Sequence, residues 1–136
     1  MQHVSALKFL QWLAANPEVM WVLDDNGKKA PNVSTSTLYS EYHSTLPPQS
    51  FPLALLANFL TFGRVKFSAR PDQGTRNKIR NLVPRNRMDQ VVLGAAFGAD
   101  DRLLVSNDED DFSPDVREAV LADLGVLIIC SFELEA

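Results

Sequence analysis

A lone cysteine and a pair of isolated histidines remove two common kinds of site from this 136-residue chain before anything else is considered. Cys130 has no partner for a disulfide within the chain, and its setting in the apolar run VLIICSF implies a small buried hydrophobe in a cytosolic compartment. His3 and His43 have no second histidine or cysteine at ligand spacing, so zinc is not indicated. Glycine is sparse too: the six present build neither a phosphate-cradling loop nor a nucleophile elbow. No uninterrupted run of about 18 apolar residues occurs. The opening MQHVSALKFLQWLAA lacks a basic region leading into a continuous apolar segment. These absences imply a soluble, cytoplasmic protein without a membrane span. There is no internal repeat and no low-complexity tract either.

What the chain does contain is apolar material for one core. Hydrophobic residues make up 46% of it, and its length suits a single domain over residues 1–136. Trp12, Trp21 and the phenylalanines sit at core spacing and are expected to pack rather than to stack on bases.

Charge is unevenly spread beneath a formal net charge of −4. Residues 64–87 hold Arg64, Lys66, Arg70, Arg76, Lys78, Arg80, Arg85 and Arg87 against Asp72 alone. Residues 88–136 hold twelve acids against Arg102 and Arg117. A basic belt beside an acidic third has two readings: polyanion binding next to a cation site, or two solvated faces whose charges pair with each other.

Residues 4–15 place Val4, Leu7, Leu10, Trp12 and Leu13 at mixed three and four spacing, which predicts an amphipathic helix stopped by Asn16-Pro17. EVMWVLDD predicts a strand running into the Asn26-Gly27 turn, and KKAPNVSTST a loop. Ser36 or Thr37 can cap a helix through TLYSEYHSTL, ended by Pro47-Pro48, and FPLALLANFLTF is a core helix stopped by Gly63. Val65 to Phe67 is a short strand candidate, RPDQGT a loop, and TRNKIRNLV a basic helix ended by Pro84. In MDQVVLGAAFGA the apolar stripe makes a helix on which small Gly94 and Gly98 permit close packing. RLLVS is a strand, SPDVREAVLADLG a helix with Ser113 as cap and Gly125 as its C-terminal glycine, and VLIICSF a fully apolar strand. Apolar strands alternating with helices argue a parallel sheet covered on both faces.

Ligands of parallel sheets bind beyond the carboxyl ends of the strands. Asp24 and Asp25 end one strand and Asp108 another, while Asp89 opens a helix and Glu41 lies on an earlier one. Carboxylates gathered from such separate places repel unless a divalent cation neutralises them, and hard oxygen ligands suit Mg²⁺ or Mn²⁺. Taken singly, the simpler readings are favoured: Asp89 as a helix N-terminal charge, Glu41 as an exposed helix residue and the 108–111 run as a solvated loop.

The order TLYSEY, then MDQVVLGAAFGADDRLLVSNDEDDF, then a helix, then GVLIICSFEL resembles the PIN-domain nucleases. The resemblance is best over residues 86–135 and weaker over 19–46. In that family a Glu on an early helix, an Asp opening a later helix and an Asp in a Ser-or-Thr, x, Asp, x, Asp, Phe segment after a strand line a metal pocket. Carried over by position, this implies that Glu41, Asp89 and Asp108 hold Mg²⁺ or Mn²⁺ as catalytic acids. Asp111, or Asp110 in its stead, is the additional acid before Phe112; Ser106 orients the loop and Asn107 assists. The resemblance also implies a PIN-like three-layer α/β fold, with a mostly parallel central sheet of about four strands flanked by helices.

Family members begin with an apolar strand ending in an Asp that is the central metal ligand, and this chain starts in the helix expected after it, so the resemblance implies a domain N-terminally truncated relative to the family. A start placed too late, a truncation rescued by rearrangement or a partner, and a non-catalytic relative all fit that departure. The activity implied is hydrolysis of RNA phosphodiesters, with Arg76, Lys78, Arg80, Arg85 and Arg87 on the RNA backbone. An antitoxin-like protein partner and a homodimer come with the same resemblance. The competing reading is a catalytically impaired PIN-like module that binds RNA or a protein partner. A phospho-accepting receiver domain, suggested by LDDN after a strand, lacks a suitable lysine after the last strand.

Overall fold

A computed structural model describes residues 2–16, 18–30, 32–106 and 110–129. Asn107, Asp108 and Cys130 lie outside these residues, so the expectations placed on them are not addressed by the fold. The described elements run in the order α1 (Gln2–Ala15), β1 (Trp21–Asp24), α2 (Thr37–Thr45), α3 (Phe51–Thr61), β2 (Val65–Ser68), α4 (Gln73–Leu82), α5 (Arg87–Gly98), β3 (Leu103–Val105), α6 (Pro114–Leu124) and β4 (Leu127–Ile129). The protein is therefore a mixed α/β chain, and its strands pair in parallel as the alternation of strands and helices predicts.

The expected single sheet of about four strands is not what forms among the described residues. β1 pairs with β2 in the register Trp21 with Val65 to Asp24 with Ser68, and β3 pairs with β4 from Leu103 with Leu127 to Val105 with Ile129. The two pairs are separate sheets. Between them runs a groove of about 660 Å³ bordered by Trp21 and Val22 of β1, Leu103 to Val105 of β3, and side chains of α1 and α5. Among the described residues each strand has one hydrogen-bonded neighbour.

α5 holds the halves together, packing on β1, β2, β3, α2 and α4. Leu93 and Ala96 enter a core with Ile79, Val83, Phe112, Val120, Leu124, Val126 and Ile128, while Ala95 enters a second with Leu23 and Leu38. A helix buried on two sides needs small residues where backbone approaches it. At Gly98 a side chain would run into Ser68 Oγ and the carbonyl of Ala69. A third cluster joins α1 to α3 through Leu13, Leu55 and Phe59, and Trp21 meets the Phe59 ring edge-on at 5.5 Å.

Local chemistry sets the helix ends. Ser36 and Ser113 cap α2 and α6 by accepting from the amides of Tyr39 and Val116, and Gly125 closes α6 with φ 70°. α4 starts earlier than its apolar spacing predicts. Asp72 accepts from Thr75 N at 2.8 Å, drawing Gln73 and Gly74 into the helix. Within the expected loop, Asn32 and Thr35 form a reciprocal capping box around a 3₁₀ turn, Val33–Thr35. No helix among the described residues is long and apolar enough to cross a membrane.

Candidate functional site

The carboxyl ends of β1 and β2 show how two adjacent acids part company. Asp24, the last residue of β1, is buried at 8% exposure like Leu23 before it, whereas Asp25, just past the strand end, is half-buried. Asp24 Oδ1 accepts from Ser36 Oγ (2.8 Å) and Leu38 N (2.8 Å), and Oδ2 accepts from Thr37 N (3.0 Å). The carboxylate thus fastens β1 to the first turn of α2 and meets the positive end of that helix. Asp25 Oδ1 accepts from Gly27 N and Arg70 N, tying the turn after β1 to the segment after β2.

Beyond these strand ends, between α4 and α5, lies a cavity of about 300 Å³ into which Arg70, Arg76, Arg80 and Arg87 converge. Helical spacing explains the convergence. Arg76 and Arg80 are four apart on α4, with Ile79 between them facing the core at 2% exposure. On α5 the stripe Arg87, Gln90, Val91, Gly94 and Ala95 recurs at three and four residues and supplies the facing wall. Neutral groups orient the α4 guanidiniums: Arg76 donates to Pro71 O and to Gln73 Oε1, and Arg80 to Asn77 Oδ1.

The expectation that the belt pairs with the acidic third can be compared directly. Among the described residues, the belt's one ion pair is Lys66 with Asp100, at 3.5 Å on the open surface. Arg64 does not join the basic face. Its guanidinium donates to the carbonyls of Leu13, Asn16 and Val19 and lies 3.9 Å from the Phe59 ring centre. Of the residues expected on RNA, Arg76, Arg80 and Arg87 line the cavity, whereas Lys78 and Arg85 are exposed outside its lining. Asp72, the belt's own acid, is held below the ordinary carboxyl value of 3.8 by hydrogen bonds from the Thr75 backbone and side chain, and then by the nearby Arg76 and Lys78 charges.

The expected metal acids are spread over three elements. Glu41 is half-buried on α2 and Asp89 half-buried in the first turn of α5. Those helices pack together through Leu38, Tyr39 and Tyr42 against Met88, Val91 and Val92. Burial pushes the Tyr42 phenol above its usual 10.0, aided by the Asp24 charge, while a hydrogen bond with Trp21 opposes the rise. Asp110 is exposed and Asp111 half-buried, just before Phe112, whose 2% exposure anchors that end of the loop in the core. Ser106 N donates to Ile129 O at 2.9 Å, fixing the other end to β4.

Arg117 of α6 spans the two ends, donating Nε to Phe112 O (2.6 Å) and Nη2 to Ser106 O (3.2 Å). Among the described residues no three His, Cys, Asp or Glu side chains gather as a metal-holding group. A centre of the expected kind needs Asp108, outside those residues, beside Glu41 and Asp89.

Two contributors escaped the pattern in the sequence, Gln90 on the cavity wall and Arg117 as the clamp of the acidic loop's described ends, while Arg70 is legible there only as part of the belt and Asp24 only as an acid at a strand end. Only the helix period linking Gln90 to Arg87 could have pointed to one of them beforehand. Compared with protein-family models, curated proteins and solved structures, the chain matches none.

Proposed function

We propose that this chain binds RNA on its basic face and hydrolyses it as a divalent-metal-dependent ribonuclease of PIN type. The observation that carries the binding half is the charge left standing on residues 64–87. Among the described residues Lys66 alone of that belt pairs with a carboxylate, and Arg70, Arg76, Arg80 and Arg87 gather at one cavity. Positive charge that a fold leaves unneutralised and gathers in one place suits a polyanion, which binds by releasing its counterions. The bland alternative, in which belt and acidic third neutralise each other, loses support from the same observation.

The hydrolytic half rests on the resemblance and on the packing of the helices that carry Glu41 and Asp89. Mg²⁺ or Mn²⁺ held by Glu41, Asp89 and Asp108, with Asp111 as the added acid, would polarise a phosphate and lower the pKa of a bound water. An antitoxin-like protein and a second copy of the chain are the protein partners proposed with it. Fluorescence anisotropy with a labelled RNA between about 50 and 200 mM salt tests the binding half. Affinity is expected to fall linearly on a log–log plot, and each of Arg76→Ala, Arg80→Ala and Arg87→Ala to flatten the slope by about one. Salt-independent binding contradicts it. RNA bound but left uncut with Mn²⁺ present leaves the PIN-like binding module in place of the nuclease.

A further inference from the structure

The cavity beyond β1 and β2 offers more than charge, and we infer that it is a site for a single nucleotide bearing a terminal phosphomonoester. Arg70, Arg76, Arg80 and Arg87 reach it from the segment after β2, from α4 and from α5, and among the described residues none of them is within ion-pair distance of a carboxylate. Asp24, the one acid among the described residues of the lining, has its oxygens engaged by Ser36 Oγ, Thr37 N and Leu38 N. Guanidinium groups stay charged at any physiological pH and form forked hydrogen bonds that match phosphate oxygens. Four of them beside one occupied carboxylate suit a dianion better than the single negative charge of an internal phosphodiester.

Size and apolar lining supply the rest of the ligand. About 300 Å³ stands at the small end of ligand sites, which is room for one nucleotide and not for a folded duplex. Pro71, Ile79, Val91 and Ala95 give an apolar wall for the flat face of a base, with the Asn26 amide at the lining to meet its edge. Gln90 is held in place by its Nε2 donating to Val83 O at 3.0 Å. The terminal nucleotide has two sources, a free nucleoside monophosphate or the phosphorylated end of an RNA, and only the second rests on the RNA-binding proposal.

Isothermal titration calorimetry of the full chain with uridine and adenosine 5′-monophosphates, the unphosphorylated nucleosides and inorganic phosphate tests the site. The monophosphates are expected to bind at least about tenfold tighter than either fragment, and an Arg76→Ala, Arg80→Ala double variant with an unchanged circular dichroism melt to lose about tenfold or more. Affinity should climb from pH 5 to pH 7, because a phosphomonoester gains its second charge near about 6 while arginine is unaffected. Displacement of the monophosphate by a 5′-phosphorylated RNA assigns the ligand to a strand end, and failure to displace it assigns the free nucleotide; both support the site. Monophosphates binding no tighter than inorganic phosphate, or equally to the double variant, overturn it. If 5′-hydroxyl RNA binds with a steep salt slope while the monophosphates do not bind, the site fails and the RNA reading stands. If the monophosphates bind and no RNA does, the reverse holds.

Discussion

Asp24 and Arg117 are the residues whose removal separates what is structural from what is chemical. A buried carboxylate with three donors leaves all three unsatisfied when it is deleted, so Asp24→Ala is expected to lower unfolding free energy by about 3 kcal/mol in urea titrations. Asp24→Asn keeps one acceptor oxygen and should lose clearly less; equal losses would contradict the tether. Arg117 joins two carbonyls that bracket the acidic loop. Its replacement by Ala is expected to destabilise by about 1–3 kcal/mol and to speed amide exchange around Phe112, with Lys a poor substitute because a point charge cannot fork to both carbonyls. Exchange rates that do not change would remove the clamp from the account.

At the level of elements, α5 decides how tightly the halves close. A methyl at Gly94 would touch the Pro71 ring at 3.4 Å, an ordinary contact, and would relieve the helix of a flexible residue. Gly94→Ala is therefore expected to be neutral or stabilising by up to about 1 kcal/mol, whereas Gly98→Ala pushes on Ser68 and on the Ala69 backbone and should cost about 1–3 kcal/mol. Thermal melts of the two variants side by side check the contrast. For α4, the Asp72 cap has a carboxyl pKa lowered by folding, so its stabilisation is complete above the ordinary value of 3.8 and is lost as pH falls through the lower folded one. These helices were legible because their signals are local: Ser113 and Gly125 fix the ends of α6, and three-four spacing fixes α5. The break between β1 and β3 was not, since strand runs such as RLLVS and EVMWVLDD announce a strand and say nothing of its neighbour. Likewise Asp24 and Asp25 read alike until α2 packs over the end of β1 and engages only the first, and Arg117 read as one more charge until α6 brought it to the carbonyls of Ser106 and Phe112.

For the whole molecule, a net charge of −4 coexists with a basic segment whose arginines at 70, 76, 80 and 87 form no ion pair with an acid among the described residues. A local concentration of positive charge of this kind is what the proposed RNA binding relies on, despite the acidic sum. The basic face was legible as composition; which of its members converge required the helix faces, with Arg76, Arg80 and Arg87 inside the cavity lining and Lys78 and Arg85 outside it. The acidic loop that follows β3 is where hydrolysis is proposed, and its test does not depend on the arginines. Cleavage of an end-labelled RNA in Mn²⁺, measured under single-turnover conditions for the natural chain and for Asp108→Asn with matched circular dichroism, tests the proposed hydrolysis. Metal-dependent cleavage by the natural chain is expected, abolished by EDTA and reduced at least about a hundredfold in Asp108→Asn, the effect of losing a group that acts at the transition state. Equal cleavage rates for the two proteins would contradict it.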